Sequence, residues 1–224
     1  MMISPGAFYE ERLEGKTTAE IMAVIRSLKQ EIGRIKNIVE NPNYDDMKHF
    51  SPSERTQIFC LQLYLERAKM ALIEAGGTYT MSKAELKAQE FDDNIPYINK
   101  IVFSIGGFFN GHETKTFTVD GDKVKRYVDR SLITKPLDFE DGQIEPIDKE
   151  EFLEQFYDLH IGEWRRKYDT SRYNIEVLDG TQWELQIHFS NGHKPVEIYG
   201  DNAYPYNFDR LLEVLEIENE AWCD

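Results

Sequence analysis

The 224-residue sequence is short of positive charge: 26 Lys+Arg stand against 41 Asp+Glu, a formal net charge of −15. Contact with duplex phosphates needs a basic surface, and no Lys/Arg-rich run long enough to supply one interrupts the acidic average. Direct nucleic-acid binding is therefore not expected. Only two cysteines occur, Cys60 inside a helical apolar pattern and Cys223 beside the C-terminus. A pair so placed is no disulfide framework, and a cytoplasmic location is expected. No stretch of about 18 apolar residues appears, and Met1–Gly15 lacks a basic segment followed by an apolar one, so neither a membrane span nor export is expected. Also missing are the G-x-S-x-G, P-loop and Rossmann glycine patterns, H-E-x-x-H, and the D-x-[DN]-x-[DN]-G calcium loop. Gly106-Gly107 lies within a strand run, where it suits a bulge or close backbone approach better than a phosphate cradle. No cofactor is expected, and no residue is assigned as catalytic or as a metal ligand.

What is present is a foldable composition, 41% hydrophobic and 12% aromatic, in a length that fits one large or two small domains. Thr17 and Glu20 form a T-x-x-E capping box, and Ile21, Val24, Ile25, Leu28, Ile32, Ile35 and Val39 follow at helical spacing until Asn41-Pro42. A second helix is expected from Ser51-Pro52-Ser53-Glu54, with Ser51 as cap and Glu54 third, carrying Ile58, Leu61, Leu65, Ala68 and Leu72 to Gly76-Gly77. A third begins at Ser82, with Leu86 and Phe91 inward. The first two stripes pack most simply as an antiparallel helical hairpin, so residues 1–95 are expected to form a helical hairpin domain.

Beyond Pro96 the period changes from 3.6 to 2. Asn110-Gly111, Asp120-Gly121, Asp179-Gly180 and Asn191-Gly192 are hairpin turn signals. They place strands near 100–109, 112–119, 122–129, 173–178, 181–190 and 194–200, with helices over 149–168 and 208–217. The order is βββα twice. The expected fold class is α+β: residues 96–224 form a six-stranded antiparallel sheet of two βββα units, helices on one face. The other face is left for solvent or a partner.

Charge is uneven. Residues 1–95 hold 12 basic and 15 acidic side chains, so most of the excess lies in the sheet part. Asp138, Glu140, Asp141, Glu145, Asp148, Glu150, Glu151, Glu154 and Asp158 stand with Lys149 as their one cation, and Asp209, Glu213, Glu216, Glu218, Glu220 and Asp224 crowd the C-terminus. One reading is a solvated face that also favours a helix N-terminus. The other is a row of carboxylates that imitates nucleic-acid phosphates and occupies a basic groove.

Other features weigh less. His188 and His193 flank the Asn191-Gly192 turn and could converge, with Glu197 nearby, although two histidines around a turn have no defined ligand spacing. Cys60 reads as core. Trp183, Leu185, Ile187 and Phe189 alternate toward the covered sheet face. Tyr204 and Tyr206 either pack beneath the last helix, capped by Asn207, or stand exposed as interface residues.

Asp179-Gly180-Thr181-Gln182-Trp183-Glu184-Leu185, Asn191-Gly192 and the Asn202-Ala203-Tyr204-Pro205-Tyr206-Asn207-Phe208 run resemble a segment of an uncharacterised bacterial protein family, some of whose members associate with mobile elements. The resemblance spans about the last 50 residues. It implies a small α+β module, attaches no activity, and points to a host defence or DNA-processing protein as partner.

The functional expectation is a non-enzymatic interaction protein that binds a basic protein through Asp138, Glu140, Asp141, Glu145, Glu150, Glu151 and Glu154, with Tyr204 and Tyr206 at the contact. In its concrete form it inhibits a nuclease, of restriction or CRISPR type, or another DNA/RNA-processing enzyme. One alternative is a small hydrolase or metal-dependent enzyme with a pocket near His188 and His193. Another is a structural adaptor that forms a homodimer through its N-terminal helices.

Overall fold

The structure, a computed structural model, describes residues 2–44, 52–107, 111–131, 146–177 and 180–217. The chain divides into two compact units, Met1–Ser82 and Lys83–Asp224. The division falls earlier than the expected boundary at 95/96. Helix α4 (Lys83–Asn94) and the turn after it send Phe91 and Ile95 into the core of the sheet unit.

The first unit contains α1 (Pro5–Arg12), α2 (Thr18–Val39) and α3 (Glu54–Glu74). The Thr17 N–H donates to the Glu20 carboxylate at 2.8 Å and the Glu20 N–H donates to the Thr17 hydroxyl at 3.4 Å, completing the capping box. Ile21, Ile25, Leu28, Ile32, Ile35 and Val39 are the buried stripe of α2, each fully buried aliphatic side chain contributing about 1.5–3 kcal/mol. Helix α3 is capped by Ser53, whose hydroxyl accepts from Thr56 N–H at 3.3 Å, so Glu54 is its first residue rather than its third. Ser51, the expected cap, lies outside the described residues. Gly76 takes φ +79° just after α3, the left-handed stop expected there.

Two helices are not the whole of this unit. Ser4 caps α1 ahead of Pro5, and Phe8 stacks on Tyr64 of α3 with ring centroids 4.4 Å apart. The Tyr64 hydroxyl donates to Ile3 O at 2.6 Å and accepts from Ile3 N–H at 2.9 Å. An eight-residue helix with one buried side chain has no stripe to betray it in sequence.

The second unit adds β1 (Ile98–Gly107), β2 (Gly111–Asp120), β3 (Lys123–Ser131), β4 (Ile147–Asp148), α5 (Lys149–Tyr157), β5 (Lys167–Asp169), β6 (Thr181–Phe189), β7 (Val196–Asp201) and α6 (Phe208–Val214). The strands form one sheet in the order β4-β3-β2-β1-β6-β7-β5, antiparallel except where β5 runs parallel to β7. The fold is α+β, with a seven-stranded sheet in place of the expected six-stranded one. Central β1 pairs with β2 and β6, setting Phe103 opposite Leu185 and Ile105 opposite Trp183. Phe91, Phe152, Phe156, Phe208, Leu211 and Leu212 from α4, α5 and α6 pack in one core with these strand residues.

The second βββα unit is built differently from the expected one: its first strand is β5, paired parallel to β7, rather than a strand over 173–178. Over 173–178 the described residues hold no strand: a 3₁₀ turn, Thr170–Tyr173, runs into Asn174 at φ 56°, a left-handed residue that breaks an extended run. Helix α5 is also half its expected length. It stops at Tyr157, the chain reverses through His160 at φ 50°, and a 3₁₀ turn at Ile161–Glu163 leads to β5. Among the described residues no helix is long and apolar enough to cross a membrane.

Candidate functional site

Asp148 builds the N-terminus of α5, its carboxylate accepting from Glu150 N–H at 3.0 Å and Glu151 N–H at 3.3 Å. Those bonds, with Lys123 at 3.4 Å, hold the Asp148 carboxyl below the usual aspartate range. Helical spacing then turns Phe152, Leu153 and Phe156 into the core and leaves Glu150, Glu151, Glu154 and Asp158 exposed on the opposite side. None of these four forms an ion pair with a described residue. Some carboxylates elsewhere are matched: Glu31 with Arg34, Glu66 with Lys69, Glu74 with Arg67 and Asp120 with Lys125. Asp138, Glu140, Asp141 and Glu145 lie outside the described residues.

The C-terminal acidic strip differs. Glu213 pairs with Arg210 at 2.7 Å and Glu216 pairs with Arg126, so these members are neutralised, while Glu218, Glu220 and Asp224 lie outside the described residues. Tyr206 is buried and Tyr204 is half-buried with its ring 4.8 Å from Phe208. The packed alternative is the one realised, and Tyr206 offers no ring to a partner.

The histidines do not converge. His188 projects from β6 on the side opposite Phe189, in register with Lys100, whereas His193 packs edge-on against Phe189 at 4.9 Å. Among the described residues no three His, Cys, Asp or Glu side chains gather as metal ligands. Cys60 is half-buried at the edge of the first unit's core.

A cleft does lie at His193, as the enzyme alternative expected, but His188 does not line it. Lys87, Glu90 and Phe91 share one face of α4 at spacings of three and four. Facing them are Ile161 and Gly162, then Trp164 and Arg166, and the β6–β7 connection with His193, Lys194 and Pro195 leading into Val196 and Ile198. The cleft, open to solvent at its mouth, has a volume of about 510 Å³. Its floor is the apolar group Phe91, Ile161, Trp164, Val196 and Ile198, all nearly buried. The wall at Gly162 is set by close approach, since a Cβ there would lie 2.6 Å from Ala88 O of α4. Asn191 ties the hairpin connection to the end of α4, its amide donating to Asn94 Oδ1 at 2.7 Å.

Charge at the mouth is mostly positive, with Glu90 the one carboxylate in the lining. His193 Nδ1 donates to Lys194 O at 2.8 Å, and its Nε2 lies 3.4 Å from Glu90. Lys87, Arg166 and Lys194 have no carboxylate within ion-pair distance among the described residues, and Arg166 meets only the Glu197 carbonyl at 3.4 Å. Burial and then the Arg166 cation push the Lys87 ammonium below the usual lysine range.

On the first unit, α3 carries a second apolar stripe facing away from the core. Phe59, Leu63, Met70 and Ile73 are 60%, 40%, 56% and 64% exposed, and with Glu66 they follow the four-three alternation of a coiled-coil seam. No family model, curated protein or solved structure matches the chain.

Proposed function

We propose that this chain is a non-enzymatic interaction protein that binds a basic protein surface through the solvent face of α5. The observation that carries the reading is the contrast in pairing: Glu150, Glu151, Glu154 and Asp158 stand exposed without a described cation, while Glu213 and Glu216 nearby in the unit are matched by arginines. Desolvating unpaired exposed carboxylates against lysines or arginines gives orientation and a fast, salt-sensitive encounter. Asp138, Glu140, Asp141 and Glu145 extend the same acidic run in sequence. The partner on this reading is a nucleic-acid enzyme whose phosphate groove these carboxylates enter. Low-salt affinity capture tests this: the expected partner is basic, elutes with salt, and is displaced by nucleic acid. A partner that persists at high salt and ignores nucleic acid would contradict it.

A second reading has its own observation. The stripe of Phe59, Leu63, Met70 and Ile73 fits self-association through α3, the adaptor alternative. Sedimentation of the wild type against a Phe59→Ser, Ile73→Ser variant tests it, with a concentration-dependent dimer lost in the variant as the supporting result.

A further inference from the structure

The cleft between α4, the Ile161–Glu163 turn and β7 carries an inference independent of α5. A protein with 15 excess negative charges has brought Lys87, Arg166 and Lys194 to one opening whose single carboxylate, Glu90, lies within ion-pair distance of His193 and of none of the three. Other cations of the chain, Arg34, Arg67, Lys69, Lys125 and Arg126 among them, pair with a carboxylate. Behind the opening lies an apolar floor of Phe91, Trp164, Val196 and Ile198, and the volume of about 510 Å³ is within the range of small-molecule sites. Inorganic phosphate would satisfy the cations and leave the floor empty. A neutral hydrocarbon would cover the floor and leave the like charges repelling one another.

We propose that the cleft binds a small organic carboxylate, its flat apolar body on Phe91, Trp164 and Ile198 and its carboxylate between Lys87 and Arg166. The guanidinium fork of Arg166 suits both carboxylate oxygens, and Lys87 adds a point charge. Glu90 on the same helix face restricts the head group to the Lys87–Arg166 side, since it repels an anion on its own.

Calorimetric and NMR titration of the full chain with naphthoate, and with neutral naphthamide as an isostere of the same shape, tests the proposal. Naphthoate is expected to bind saturably at one site, shifting the resonances of Trp164 and Ile198, with naphthamide at least about tenfold weaker. Lys87→Gln and Arg166→Gln change exposed side chains and should keep the melting temperature while weakening naphthoate about tenfold each. Arg166→Lys should recover part of that loss. Equal binding of acid and amide, unchanged affinity in both Gln variants, or no saturable binding of naphthoate would each overturn the proposal.

Discussion

The Trp164 indole N–H donates to the Asn207 side-chain oxygen at 3.1 Å, while the Asn207 amide donates to Leu159 O at 2.8 Å. Asn207 precedes α6 but makes no side-chain cap to that helix. It clips the segment after α5 to the start of α6 and fixes the orientation of the indole that floors the cleft. Asn207→Ala would leave a buried N–H and a carbonyl unmatched, and about 1–3 kcal/mol of stability should be lost. Urea midpoints measure this, and Asn207→Asp, which sets a carboxylate oxygen against Leu159 O, should lose at least as much.

Asp92 gives the fold a pH dependence. Burial, then the charges of Glu163 and Asp93, push its carboxyl up to about 6, and its Oδ1 is buried without a hydrogen-bond partner. Because the folded state holds this proton more tightly than the unfolded chain, the group costs the fold nothing below about pH 4. Stability declines as pH rises from there to about 6 and then levels. Asp92→Asn removes the effect. Its stability advantage over the wild type should widen across that window in parallel urea titrations, and a constant difference would contradict the assignment.

Lys115 reaches from β2 to the far end of α6. Its ammonium lies 3.3 Å from Leu215 O, also donates to Glu216 O, and sits 3.5 Å from the Glu113 carboxylate. Burial pushes it below the usual lysine range, with Glu113 opposing. Lys115→Met deletes the cation at the helix C-terminus and beside a buried carboxylate, so a loss of about 3 kcal/mol is expected by denaturant unfolding. Adding Glu113→Gln should restore part of it.

Local signals carried the sequence reading where one segment contained its own explanation. Thr17–Glu20, Asp148, the turn at Gly121 and the alternation through Trp183 and Phe189 each announce an element that the structure contains. The parts that escaped depend on distant residues. Nothing local in 149–168 says that His160 takes a left-handed conformation after α5 or that Gly162 presses against Ala88. β5 exists as three residues because β7 offers an edge. The cleft is assembled from α4, the 161–166 segment and the β6–β7 connection, so its three cations look in sequence like scattered surface lysines and arginines. The α5 acidic face was legible because its members are close in sequence and the helical period sorts them outward.

On the function proposed above, the exposed carboxylates of α5 bind a basic protein. Measuring the dissociation constant of the captured partner for wild type and for a Glu150→Lys, Glu151→Lys, Glu154→Lys variant tests it most directly, with Glu10→Lys, Glu11→Lys, Glu14→Lys as an equal charge change on exposed first-unit residues. The account predicts about a hundredfold or greater loss for the α5 variant and a far smaller change for the control. Equal affinity in wild type and the α5 variant would contradict it.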